Sequence, residues 1–210
     1  MTAAHCLYTQ DLGDVSFVRL GDLQLNSQAD DAQPQQFRIV TRYGHPAYES
    51  FSHYNDIALV ELDRPVTFTK YVRPACLGSE EDLTNVQLIA TGWGALEYGG
   101  STSNDLMKVD LKYYTTEQCQ QTFPPQVRLE RGIDGDSQIC AGGIDDSKDT
   151  CQGDSGGPMQ IKKSNSPAIY EVVGITSFGR GCGIVNTPAV YTKVAHFVPW
   201  IEQIVWPNGA

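Results

Sequence analysis

Ser155 stands in Gly153-Asp154-Ser155-Gly156-Gly157-Pro158, a setting that suits a nucleophile. A serine hydroxyl attacks poorly at neutral pH. It needs a base to take its proton and backbone N–H groups to receive the charge on the attacked oxygen. Glycine on both sides of Ser155 permits a tight backbone path and close approach of a substrate. Taken alone, the stretch is as readily a glycine-rich turn. Two other segments bear on the choice. Thr2-Ala3-Ala4-His5-Cys6 supplies a histidine beside a cysteine, and Asn55-Asp56-Ile57-Ala58-Leu59 supplies an aspartate opening an apolar run. Each has an ordinary explanation of its own, a structural histidine and a turn or cap aspartate. Together they offer a base, a carboxylate and a nucleophile.

Three residues so far apart need a rigid frame, and the pattern of the chain points to strands. Residues 15–20, 37–43 and 57–62 alternate well enough to be half-buried strands. Others are read at 87–91, 106–114, 138–141, 158–162, 170–178 and 189–194. Thr115 or Thr116 is placed to cap a short helix through Gln121 that carries Cys119. Near the end the period changes. Phe197, Trp200, Ile201, Ile204 and Val205 fall at helical spacing, with Pro199 tolerable in a first turn. Residues 66–78 read as a crossing between two lobes, and Ser79-Glu80-Glu81-Asp82 as a solvated turn.

A chain of 210 residues can hold one all-β unit or two small lobes sharing a core. Hydrophobic residues at 40% and charged ones at 19% suit a folded globule and exclude a disordered chain. The 20 glycines and 11 prolines are scattered, as many short strands and tight turns require. A formal charge of −10 disfavours nucleic acid and anionic membrane as partners and attracts cationic segments from a distance. No signal peptide and no transmembrane run is read. Six cysteines without Cys-x-x-Cys spacing support secretion and argue against a zinc site.

In the order His5, Asp56, Ser155, the three motifs resemble those of the trypsin-like serine endopeptidases, and the resemblance runs from residue 1 to about Val205. It implies an all-β fold of two six-stranded antiparallel Greek-key barrels with a C-terminal helix. Residues 1–76 would form a partial first barrel, 77–195 the second barrel and 196–206 the helix. Family members carry several strands before their Thr-Ala-Ala-His-Cys, beginning with an amino terminus released by activation. The chain is therefore expected to be a fragment of a zymogen-type parent.

The resemblance also implies roles. His5 is the general base, Asp56 holds its tautomer and stabilises the imidazolium, and Ser155 forms the acyl-enzyme. The N–H groups of Gly153 and Ser155 form the oxyanion hole. Asp154 binds the amino terminus freed by activation and so shapes that hole. Asp149, six residues before Ser155, is the acid at the base of the primary pocket. A buried carboxylate there selects Arg or Lys. Ser177-Phe178-Gly179 is the wall that pairs with extended substrate, Phe178 replacing the more usual tryptophan. Ala189 stands where the family usually has glycine, and its methyl is expected to narrow the pocket. His45, His53 and His196 match no family motif and read as structural.

By the same resemblance Cys119 pairs with Cys140 and Cys151 with Cys182. Cys6 would pair outside this chain. Cys76, in Arg73-Pro74-Ala75-Cys76-Leu77, resembles the cysteine that tethers a protease to a light chain or pro-domain. Free thiols at Cys6 and Cys76, or a bridge between them, are the alternatives. Leu88 and Ile161 stand where many digestive members have a disulfide, and they are expected to touch in the core. With Cys76 kept, the chain resembles proteases of extracellular cascades, such as arthropod clip-domain enzymes. The loop at 22–31, with Asp22, Asp30 and Asp31, matches the family's calcium loop in place, although adjacent carboxylates are more often simply solvated. No other cofactor or metal is expected. The reading is a secreted endopeptidase that cuts protein substrates after Arg or Lys. Two others stand beside it: a non-catalytic homologue acting as a binding protein, and an inactive piece of an active parent.

Overall fold

The computed structural model describes residues 1–11, 13–27, 29, 31–79, 82–144, 149–163, 169–184 and 187–209. A single 3-10 turn, Ala4–Leu7, carries His5. It leads into a small hairpin of β1 (Tyr8–Thr9) and β2 (Gly13–Asp14). Strands β3 (Phe17–Leu20), β4 (Gln35–Gly44) and β5 (Ala58–Leu62) then form an antiparallel sheet in the order β3-β4-β5. Phe37 on β4 and Ala58 on β5 point inward, as the alternation requires. Among the described residues this sheet stays open.

The second half closes. After the short β6 (Cys76–Leu77) come β7 (Leu88–Gly92), β8 (Met107–Tyr114), β9 (Gln138–Gly143), β10 (Pro158–Lys162), β11 (Tyr170–Phe178) and β12 (Ala189–Lys193). They lie in the order β10-β7-β8-β9-β12-β11, and β10 pairs again with β11 to complete a six-stranded antiparallel barrel. Closure leaves no free edge among those six strands, and β6 adds to the outside of β11 in parallel. Leu88, Leu111, Ala141, Met159 and Tyr191 fill the interior with no exposed surface. Leu88 and Ile161 are both buried in that one cluster.

Two helices complete the frame. Thr115 caps α1 (Thr116–Thr122) in a reciprocal capping box with Gln118, and Cys119 on this helix bridges to Cys140 on β9. The last helix, α2 (Val194–Val205), starts two residues before the expected 196, so Pro199 lies in its second turn and not its first. The starting residues Val194 and Ala195 carry no helical period of their own. Val194, Phe197 and Ile201 are buried against Ala3, Ile57, Leu59 and Ile175. This helix therefore seals the His5 segment and the open sheet onto the barrel. The two-residue strands β1, β2 and β6 leave no mark in the sequence, since so short a strand has no period to read.

Candidate active site

Asp56 is held from every side. It is 3% exposed and follows Asn55, whose φ of 55° is a left-handed conformation seldom adopted without glycine. The Asn55 side chain donates to the Ala47 carbonyl at 3.1 Å and fixes that turn. Asp56 Oδ1 accepts from the His5 backbone N–H at 3.0 Å. Its Oδ2 pairs with His5 Nδ1 at 2.7 Å and accepts from the Ser177 hydroxyl at 2.5 Å. The Thr192 hydroxyl donates to the Asp56 carbonyl at 2.8 Å. Burial opposes the charge on Asp56, but the hydrogen bonds from His5 and Ser177 hold its carboxyl below the ordinary range.

Strand β11 makes that grip possible. Its pairing with β12 shifts between Thr176 and Phe178, so Ser177 is the extra residue of a bulge. A bulge re-aims a side chain, and here it turns the Ser177 hydroxyl onto Asp56. Sequence reading gave Ser177 only a place on the substrate wall and gave Thr192 none. A bulge leaves no mark in a single sequence.

The neighbouring residue of the same strand positions Ser155. Gly156 N–H donates to the Thr176 carbonyl at 2.8 Å, and Thr176 N–H donates to the Gly157 carbonyl at 2.9 Å. The turn ahead of Ser155 passes through Gly153 at a φ of 96°, open to glycine and few others. A Cβ on Gly156 would lie 2.2 Å from Thr2 Oγ1 and 3.1 Å from Cys6 Sγ, so the serine turn presses directly on the His5 segment. Asp154 braces it from behind. Its carboxylate accepts from Gly94 N–H and Cys151 N–H, each at 2.9 Å. Among the described residues the amides of Gly153 and Ser155 have no acceptor, and both residues are exposed.

His5, Asp56 and Ser177 are thus one hydrogen-bonded unit, with the Ser155 turn packed beside it. The outer nitrogen of His5 lies 3.5 Å from Cys6 Sγ, and among the described residues no hydrogen bond joins it to Ser155. Burial alone would lower the imidazole's pKa. The hydrogen bond to Asp56 and the contact with Cys6 outweigh burial and raise it to about 10.

A cavity of about 410 Å³ opens behind the serine turn, lined by Gly94, Leu96, Val109, Asp149, Asp154 and Cys182 among others. Asp149 and Asp154 face the same space. Burial and, less strongly, the nearby Asp154 push the Asp149 carboxyl up to about 7. The Cys151–Cys182 bridge, with Cα atoms 5.1 Å apart, ties the Asp149 segment to the loop after β11. Ala189 is 5% exposed, and its methyl lies 3.5 Å from where a Cβ on Gly179 would stand. Phe178 stacks on His53 with ring centroids 4.0 Å apart, so a histidine read as structural borders the wall segment.

The remaining cysteines, Cys6 and Cys76, are both unbridged, the first half-buried and the second exposed. In the 22–31 loop Asp22 is buried against Arg19 Nε at 2.6 Å and accepts the Leu23 N–H. Asp31 pairs with Lys70 at 3.1 Å, and Asp30 falls outside the described residues. Among the described residues no group of three or more His, Cys, Asp or Glu is arranged to hold a metal ion.

A closed antiparallel barrel with a His–Asp pair and a glycine-flanked serine at its rim defines the class of the β-barrel serine proteases. The Trypsin family profile matches residues 1–201, and the chain belongs to that family. It is 42% identical over 206 residues to the serine protease snk of Drosophila melanogaster, covering 98% of this chain and 46% of that protein. To the proclotting enzyme of Tachypleus tridentatus it is 35% identical, covering 97% of this chain and 55% of the other. To phenoloxidase-activating factor 3 of Holotrichia diomphalia it is 36% identical, covering 98% and 60%. The chain thus spans about half the length of these relatives.

Proposed function

We propose that this chain is the peptidase portion of a secreted serine endopeptidase that cuts proteins after Arg or Lys. The observation that carries the proposal is the His5–Asp56–Ser177 unit, lying against a serine turn whose Gly153 and Ser155 amides have no acceptor among the described residues. In the reaction, His5 in its neutral form, the minority species below its pKa of about 10, takes the Ser155 proton as the hydroxyl attacks the scissile carbonyl, and Asp56 stabilises the imidazolium. The two amides receive the oxyanion, and His5 returns the proton to the leaving amine. Asp149 offers a carboxylate to the cationic side chain of the substrate. Asp154, on the same cavity, is the partner for an amino terminus freed by activation, and binding it there would set the Gly153–Ser155 amides.

Relatives named for clotting and for phenoloxidase activation support a place in an extracellular proteolytic cascade. The exposed Cys76 supports a disulfide tether to a pro-domain or light chain. Among the described residues no helix is long and apolar enough to cross a membrane. One observation favours a second reading, a non-catalytic homologue that binds rather than cleaves: His5 Nε2 meets Cys6 and not Ser155.

One experiment separates the two. The full-length, activated protein is treated with a serine-directed fluorophosphonate and assayed on an Arg-ester reporter. A protease labels at Ser155 and hydrolyses the ester, and Ser155→Ala loses both while staying folded. A homologue that only binds does neither in the wild-type form.

A further inference from the structure

The chain carries a net charge of −10, yet arginines gather beside the Ser177–Gly179 wall. Phe178 is the centre of an aromatic stack there. His53 lies flat on one side of it at 4.0 Å, and Phe123 meets it edge-on at 5.4 Å. Each flanking ring brings a cation. Arg180 sits over Phe123, 5.5 Å from the ring centroid. The backbone carbonyl of Arg128 accepts the His53 backbone N–H at 2.9 Å, and burial, then the Arg128 charge, disfavour charge on the His53 imidazole. Arg128 and Arg180 are exposed, and among the described residues neither forms an ion pair with a carboxylate, Glu130 included.

Two arginines beside an aromatic stack, neither ion-paired among the described residues, have a definite chemical preference. A guanidinium presents paired N–H donors that match a carboxylate in two parallel bonds. In an acidic protein such a patch stands out from the surrounding field, and it repels cationic side chains. A substrate strand laid along Ser177–Gly179 would carry alternate side chains across Phe178 and toward these groups.

We propose that Arg128 and Arg180 form an acid-reading subsite, selecting substrates with Asp or Glu among the two to four residues preceding the cleaved bond. The inference rests on reading Ser177–Gly179 as the segment that pairs with substrate. It adds a second charge requirement, opposite in sign to that of Asp149: a cation in the primary pocket and an anion upstream of it.

The test uses the full-length, activated protein and a set of peptide reporters ending in Arg. Glu, Ala or Lys occupies each of the three positions before that Arg in turn. The expected result is a kcat/KM about fivefold or more higher for Glu than for Lys at one of these positions, the scale of one or two exposed charge pairs. The ratio should shrink as ionic strength rises. Arg128→Glu with Arg180→Glu should invert it, whereas Lys70→Glu, a charge change remote from the wall, should not. The ratio is internal to each variant, so partial loss of folded protein cancels. Cleavage indifferent to these positions, or a preference unmoved in the double variant, overturns the subsite and leaves the protease reading standing. A protein inert toward every reporter overturns both.

Discussion

Ser177 and Asp56, 121 residues apart in sequence, are joined by a hydrogen bond of 2.5 Å in which the hydroxyl donates to Oδ2. The same oxygen carries the bond to His5 Nδ1, so the serine holds the carboxylate that holds the histidine. Ser177→Ala should destabilise the fold by about 1–3 kcal/mol, the range for a hydrogen bond to a buried charged group. The direction with pH follows from the depressed carboxyl. Its stabilisation is present above the unfolded carboxylate pKa and is lost as pH falls through the lower, folded value. Removing the donor raises that folded value, so acid unfolding of the variant should begin at higher pH. Identical acid midpoints would show that the bond contributes nothing.

His5 provides a second measurement. Its pKa of about 10 depends on Asp56 first among its partners, with burial pulling the other way. An NMR titration of the imidazole should find it protonated through neutral pH. In Asp56→Asn only the Cys6 contact still opposes burial, and the pKa should fall well below 10. Cys6→Ser should lower it by less. Stability gained from the pair is present below the unfolded imidazole pKa and is lost as pH rises through the folded one. A titration unaffected by Asp56→Asn would break the pairing described here.

Asp149 gives the opposite kind of pH dependence for a ligand. Its carboxyl, pushed up to about 7 by burial, must ionise to receive a cation. An arylamidinium probe should bind more tightly as pH rises through about 7 and weaken about tenfold per unit below it. Asp149→Asn should bind the probe poorly and without that slope. Folding is linked in the other sense: a raised carboxyl favours the folded state below the unfolded pKa, and this contribution disappears as pH climbs through about 7. An affinity flat between pH 5 and 8 would exclude Asp149 as the counter-charge.

The barrel interior offers a test without ionisation. Leu88 has no exposed surface and belongs to the same cluster as Ile161. Leu88→Ala should cost about 2–5 kcal/mol in denaturant unfolding, and Ile161→Val about 0.5–1.5 kcal/mol. A loss under 1 kcal/mol for Leu88→Ala would mean that the barrel collapses around the gap.

The strands of the barrel were legible because their alternation and turn residues are local, and β10 and β11 match their expected bounds. The disulfides Cys119–Cys140 and Cys151–Cys182 followed from family likeness. What escaped reading depends on contacts distant in sequence. The grip of Ser177 on Asp56 needs a bulge, and the stacking of His53 on Phe178 needs the segment between β4 and β5 laid against β11. The common cavity of Asp149 and Asp154 is also tertiary, because Gly94, just past β7, and Val109 on β8 help to line it.

Thr176 and Ser177 are adjacent on β11, one bonded to the serine turn and the other to the aspartate. The serine turn and the His5–Asp56 pair are therefore both fastened to two successive residues of one strand. A disturbance that slides or frays this part of β11 would release both at once. The Gly156 and Thr176 amides should then exchange hydrogen for deuterium together, with a single opening free energy. Seen as machinery, the two halves of the site share a fastening, and its failure loosens both.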